Sequence, residues 1–286
     1  SFPHIIPNPL DPEYQEFITE LVQKTGADAG VILDGDGDRV LLTDEKGEMI
    51  PSPMVAALIG ERLRQKLGPD ARIAHNLACS WVVADRIGDR DTVDSGGATA
   101  ITPVGYGKIK RVMHHDRSIA MGAEHSGHYI FRDFWRADSG VMAGLQMLEL
   151  AAELKAKGQT ISELLQPIRE KYIQSGEVNF SLPAGLPFQE ATARAVAKFS
   201  GEAKRIFVVT RDGCQRVDSY PPADLELSVP DVRVEADDWW FCMRPSGTEA
   251  KEGVILRLYV EAVGDRDLME SRRDALMDLV GREYLM

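Results

Sequence analysis

Apolar side chains open the chain at helical spacing, with Tyr14, Phe17, Ile18, Leu21 and Val22 forming one stripe. Asp11 and Pro12 supply a start for that helix, and Gly26 supplies a left-handed stop. An apolar run at about 27–33 reads as a strand, and VLLT at 40–43 as its hairpin partner, with the turn DEKGE behind it. A helix is predicted from Pro51 to Gly68. Strand-like pieces such as RIAH (72–75) and HYIF (128–131) then alternate with helix-like ones, the longest at 139–158, and TISELLQPIREKY reads as the exit helix.

The last third has another rhythm: strands near 177–182, 205–210, 232–243 and 254–262 bracket helices at about 188–200 and 266–280. A Pro- and Asp-rich stretch at 218–231 reads as loop. The pattern predicts an α/β region followed by an α+β region with a mainly antiparallel sheet. The divisions fall at 1–48, 49–170 and 171–286. One hairpin and one helix cannot bury a core alone, so the first segment is expected to be part of a larger domain.

Charge narrows the partners. With 33 basic and 45 acidic residues the net charge is −12, which disfavours nucleic acid and anionic membrane. No apolar run approaches the roughly 20 residues of a membrane span. Cys79, Cys214 and Cys242 are widely spaced, without a CxxC pair, which argues against a disulfide framework or a zinc site and for a reducing, cytoplasmic setting.

The first chemical signal is VILDGDGDRV (31–40), where Asp34, Asp36 and Asp38 are separated only by Gly35 and Gly37. Carboxylates two apart on an extended strand lie about 6.6 Å from each other, too far to share a small ion. Glycines able to adopt positive φ let the backbone curl until the three converge. An oxygen-only set suits Mg²⁺, Mn²⁺ or Ca²⁺. An EF-hand is the rival, with Glu45 at its twelfth position, but Arg39 stands where that loop requires Gly and the flanks are strands. Arg39 beside a cation implies an anion there too.

In GAEHSGHYIF (122–131), Glu124, Ser126 and His128 alternate and can present an acceptor, a hydroxyl and an imidazole at one mouth, a set suited to a polyol. An ordinary hydrogen-bonded turn is the competing reading. His128 can also move a proton near neutral pH. In MRPSGTEAK (243–251), Arg244 offers a fork for phosphate, Ser246 and Thr248 offer hydroxyls, and Gly247 lets backbone N–H groups face an anion. Lys108 and Lys110, in TPVGYGKIK (102–110), add basic groups that are either phosphate contacts or solvated helix lysines. GxxxxGK[ST] is absent, which argues against a P-loop.

Taken in order, DGDGDR, AEHSGH and RPSGTE resemble the metal, sugar and phosphate loops of the α-D-phosphohexomutases, the phosphomannomutase/phosphoglucomutase family. The resemblance implies part of domain two, a complete α/β domain three and an α+β domain four, and it spans nearly all 286 residues. It implies Mg²⁺ held by Asp34, Asp36 and Asp38, Arg39 near the transferring phosphate, and Glu124 and Ser126 on sugar hydroxyls. His128, with Arg39 and Lys110, is then a candidate catalytic group, and Arg244, Ser246, Gly247 and Thr248 grip the phosphate that does not react.

The implied ligands are mannose or glucose 1- and 6-phosphates and the hexose 1,6-bisphosphate. The family's phosphoserine motif is not found; Ser80 and Ser126 lie in the wrong context, and Ser80 reads as structural. The missing N-terminal domains of the same protein are the expected partner, and the chain alone is expected to be inactive. A noncatalytic phosphosugar-binding module, a calcium-binding module and a phosphoglucosamine mutase are the alternatives, the last disfavoured by His125 in the sugar loop. Ala250 and the residues after it depart from the family's usual loop exit.

Overall fold

The computed structural model describes residues 12–183, 187–210, 213–220, 231–246 and 253–286. The chain forms two compact units, residues 1–169 and 170–286. No helix among the described residues is long and apolar enough to cross a membrane.

The first unit begins with α1 (Pro12–Thr25), then an antiparallel sheet of β1 (Gly30–Leu33), β2 (Val40–Thr43) and β3 (Met49–Ile50). α1 presses on β1 at Gly30, where a Cβ would sit 2.7 Å from Ile18 and 2.8 Å from Val22. The absent side chain is what lets the helix approach. After α2 (Ser52–Leu67), whose first half is wholly buried, come β4 (Arg72–Asn76), α3 (Trp81–Ile87) and β5 (Thr99–Thr102). α4 (Tyr106–His115), β6 (Ile119–Ala123), β7 (Tyr129–Phe131) and β8 (Ala137–Asp138) complete a second sheet, ordered β5-β4-β6-β7-β8. Its β5, β4 and β6 are parallel and its last two strands antiparallel.

α5 (Gly140–Ala156) starts at Ser139, whose Oγ accepts from Met142 N at 3.2 Å. Its Gly144 faces Val31 of β1 and Val40 of β2. α6 (Ile161–Lys171) opens with a capping box, Glu163 N donating to Thr160 Oγ1 at 3.3 Å while Thr160 N donates to Glu163 Oε2 at 3.0 Å. Glu45 strengthens this start: both Ser162 N, at 3.1 Å, and Ser162 Oγ donate to its carboxylate.

The second unit holds β9 (Tyr172–Gln174), β10 (Val178–Pro183), α7 (Phe188–Phe199), β11 (Arg205–Thr210), β12 (Gly213–Val217), β13 (Val232–Glu235), β14 (Trp239–Pro245), β15 (Gly253–Val263) and α8 (Arg266–Val280). Its seven-stranded sheet runs β10-β15-β14-β13-β11-β12, with β9 also on β15, and every pairing is antiparallel. Phe180, Phe241, Leu256 and Leu258 from the strands meet Phe199 of α7 and Met269 and Leu276 of α8 in one core. Alternate strand residues face the other way, so Arg244 and Arg257 leave this core by periodicity alone. The single strand expected at 232–243 is two: Val232 pairs with Met243 across a hairpin whose turn holds Asp237 and Asp238. Adjacent Asp residues favour a turn over a ladder, which the apolar run on either side obscures.

Candidate functional site

Between β1 and β2 the acidic loop folds around Asp34, which is 8% exposed. Its Oδ1 accepts Gly37 N and Arg39 N, both at 3.1 Å, and its Oδ2 accepts Arg39 Nε at 2.6 Å. Gly37 has φ 76°, whereas Gly35 does not take positive φ, so one left-handed glycine rather than the expected two makes the bend. One is enough because Asp34 itself gathers the loop's N–H groups. Carboxylate oxygens of Asp34, Asp36 and Asp38 lie within 4.8 Å of one another.

Electrostatics divides these carboxylates. Burial works against ionising Asp34, but hydrogen bonds from the Arg39 side chain and backbone prevail and hold its pKa below the usual value. Asp38 goes the other way. Burial, its hydrogen bond with Asp34 and the charges of Asp34 and Asp36 push it up against the pull of His128. A divalent cation fits this donor set. The ligands are all hard oxygens, and the ion would relieve the repulsion carried by Asp38.

The turn between β6 and β7 brings the second group. Glu124 N donates to His128 O at 2.9 Å and Gly127 N to Glu124 O at 3.3 Å, so Glu124, Ser126 and His128 meet through a tight hairpin rather than by extended alternation. Gly127 has φ 95°, and a Cβ there would stand 2.9 Å from Val40 O, which Val40 N···Gly127 O pairing at 3.1 Å brings close. A backbone bridge between Arg39 and His128 joins the same two loops. His128 Nε2 consequently lies 3.5 Å from Asp38 Oδ2.

On the opposite edge of its ring, His128 Nδ1 lies 3.3 Å from Glu124 Oε2 and 3.2 Å from Ser126 Oγ. Burial lowers the His128 pKa, yet the Glu124 hydrogen bond and the charges of Glu124, Asp38 and Asp138 raise it on balance. Glu124 is 3% exposed and also accepts Gly105 N at 2.6 Å and Asn76 Nδ2 at 3.2 Å. Despite its burial, these hydrogen bonds, led by that of His128, hold Glu124 at about 2. It therefore serves as a fixed anion beneath the imidazole.

Lys110 Nζ bonds Asp138 Oδ1 at 2.6 Å and lies 4.6 Å from the Tyr106 ring centroid; Tyr106 in turn stacks on His128 at 5.5 Å. Asp38, His128 and Asp138 also form a close group. Lys108 is exposed in the first turn of α4. Tyr106, Asn76 and Asp138 escape a sequence reading, because only the packing of α4 and β4 to β8 brings them here. Ser80 is 1% exposed and caps α3, accepting Val82 N at 3.0 Å, which is structural use.

In the second unit, Arg244 and Ser246 are described, while Gly247 and Thr248 lie outside the described residues. Arg244 is 8% exposed, and its Nη2 donates to Tyr259 Oη at 3.4 Å. Arg257, directly opposite on β15, donates from Nη2 to Ser246 Oγ at 3.1 Å. The LRLYVEA strand carries no signal for this partner until the β14–β15 register is known.

Three models of one family match the chain: phosphoglucomutase/phosphomannomutase α/β/α domain II over residues 1–47, α/β/α domain III over 52–172, and the C-terminal domain over 225–279. Phosphomannomutase of Escherichia coli K12 is 34% identical over 280 residues, 98% of this chain and 53% of that protein. Parafusin, a phosphoglucomutase of Paramecium solved in an open form, superposes with a TM-score of 0.73 at 17% identity, covering 96% of this chain and 50% of that one. Aspergillus fumigatus N-acetylphosphoglucosamine mutase, solved with GlcNAc-6P and magnesium, gives 0.50 at 15% identity over 95% of this chain and 52% of that one. At such identities the two structures speak to fold alone. The chain spans about half the length of the relatives it matches. Part of domain II, domain III and domain IV follow one another in the expected order, and the chain belongs to the phosphoglucomutase/phosphomannomutase family.

Proposed function

We propose that this chain supplies the metal-, sugar- and phosphate-binding portion of a phosphohexomutase interconverting hexose 6-phosphate and hexose 1-phosphate, of mannose or glucose, through a hexose 1,6-bisphosphate. The observation that carries the reading is the coupling of the acidic loop to the histidine loop, with His128 Nε2 3.5 Å from Asp38 and both loops tied by the Arg39–His128 bridge. A cation site fused to a proton-carrying imidazole suits phosphoryl transfer to a hydroxyl. Magnesium is also the ion in the GlcNAc-6P complex of the Aspergillus enzyme.

In this reading Asp34, Asp36 and Asp38 hold Mg²⁺, which when bound neutralises charge on the transferring phosphoryl group. Arg39 orients Asp34 and faces the same phosphate. His128, whose pKa the Glu124 contact raises, gives or takes a proton at the reacting hydroxyl, and Ser126 contacts the sugar. Lys110, steadied by Asp138, lies beside the imidazole, and Lys108 extends toward a phosphate. Arg244, Ser246, Gly247 and Thr248 bind the distal phosphate. Positioning the ligand by its remote end also makes turnover depend on these contacts.

The phosphoryl donor is a phosphoserine outside these 286 residues, so the chain alone turns nothing over. A cytoplasmic setting belongs to the same reading, and the buried free thiols of Cys79 and Cys242 suit it.

The test is calorimetric titration with mannose, glucose and glucosamine phosphates, with and without Mg²⁺, plus an assay with glucose 1,6-bisphosphate. Magnesium-dependent binding of the mannose or glucose phosphates without turnover is expected. A glucosamine phosphate bound best would move the reading to a phosphoglucosamine mutase. Tight Ca²⁺ binding with indifference to every sugar phosphate would replace it by a calcium-binding module. Turnover by the chain alone would overturn the external donor.

A further inference from the structure

Arg244 on β14 and Arg257 on β15 are direct cross-strand partners. Two like charges so placed destabilise a sheet pair unless something offsets them. That something is Glu177, between β9 and β10. Its Oε2 lies 3.1 Å from Arg257 Nη1 and 3.8 Å from Arg244 Nη2, and it accepts from the Tyr259 hydroxyl. Asn179 Nδ2 donates to Oε1 at 3.2 Å.

One carboxylate oxygen thus gathers two guanidinium groups and a phenol, the donor set a phosphoryl oxygen would seek. The filling is incomplete. Nε of both Arg244 and Arg257 is buried without a hydrogen-bond partner among the described residues, although Arg244's side chain is only 10% exposed. A group with three charged oxygens can engage donors that a lone carboxylate leaves idle.

We infer that Glu177 is the resident anion of this cradle and that a ligand's phosphoryl group must displace it to bind. The fold leaves it room to go. Glu177's side chain keeps 29% exposure, and Gly176 before it has φ 71° with no atom within 4 Å of a would-be Cβ. That left-handed joint, open on its solvent side, lets the segment re-aim the carboxylate without repacking the sheet. The inference rests on reading RPSGTE as a phosphate loop.

Inorganic phosphate titrated into the chain at fixed ionic strength, followed by calorimetry, tests it. Removing one competing charge a few ångströms from the ligand predicts roughly tenfold or tighter binding for Glu177→Gln. Glu177→Ala should behave alike, with circular dichroism melts confirming that both variants fold. Unchanged or weaker phosphate binding in both, while Arg244→Gln weakens it relative to the parent chain, would overturn the inference alone and make Glu177 a brace for the arginines. No saturable binding by the parent chain, or full binding by Arg244→Gln, would overturn the phosphate-loop reading and the inference with it.

Discussion

Each unit concentrates charge of one sign, and the two solve the problem differently. In the acidic loop three carboxylates converge within 4.8 Å, and among the described residues their tight cationic partner is Arg39, five residues from Asp34. In the basic cradle two arginines oppose each other across a strand pair, and the offsetting carboxylate comes from Glu177, 80 residues from Arg257. The acidic group is left under-compensated: beyond the effect of burial, the hydrogen bond with Asp34 and the charges of Asp34 and Asp36 also raise the Asp38 pKa. The basic group is closed by an internal anion. Under-compensation favours an added cation, whereas closure means that an incoming anion competes.

The largest effect breaks the acidic half of that comparison. Asp36 is exposed, so Asp36→Asn removes a proposed ligand without opening the fold. Calorimetry should show Mg²⁺ or Mn²⁺ affinity falling by at least about 100-fold, beyond the loss seen for outer-shell changes. Without metal, the same variant should be no less stable in urea than the parent chain, because one repulsive charge is gone. Retained affinity would remove the cation site.

Next comes the joint between the loops. Gly127→Ala forces a side chain into φ 95° and to 2.9 Å from Val40 O, and should cost about 2 kcal/mol in urea unfolding from left-handed strain and overpacking together. Divalent affinity should fall as well, since the Asp38–His128 contact depends on that backbone pairing. Lost stability with intact affinity would separate the two loops functionally.

What the sequence made readable follows the same division. DGDGDR could be read because its three carboxylates, its bend and its compensating arginine lie within six residues. The sugar loop could be named as a trio, but Glu124's burial beneath His128 could not, because Asn76 and Gly105 come from other elements. Arg257, Tyr259 and Glu177 were invisible for want of strand register. Asp138 and Tyr106 were missed because only the packing of α4 and the second sheet brings them beside His128, each being ordinary in its own stretch. Helical periodicity gave α1, α2, α5, α7 and α8 well, since a stripe is a local signal; short α3 and α4 lack one long enough to stand out.

A third measurement sharpens the boundary of the acidic site. Glu45, the residue an EF-hand would use, spends its carboxylate on Ser162 at the start of α6. Glu45→Gln should cost about 1 kcal/mol at neutral pH, the scale of a helix cap, and leave divalent affinity unchanged. Burial raises the Glu45 pKa, but hydrogen bonds led by Ser162 bring it below the ordinary 4.5. A lowered folded-state pKa means the contribution is complete above 4.5 and is lost as pH falls through the folded value. The difference between parent and variant should therefore close only in acid. A difference that closes above pH 5 would contradict the lowered carboxyl, and lost cation affinity would return Glu45 to the site.

The smallest effect tests closure itself. Glu177→Gln should cost about 0.5–1 kcal/mol, because it leaves two arginines facing each other across β14 and β15. Arg257→Gln should cost a similar amount by losing the ion pair. The double variant removes both the carboxylate and one of the repelling cations, so its cost should fall short of the sum by about 0.5–1 kcal/mol. Strict additivity in urea unfolding would mean that Glu177 does not offset the arginine pair. Coupling of the predicted sign, beside an Asp36→Asn change that costs nothing without metal, would show one charge cluster completed by the protein and the other kept for an ion.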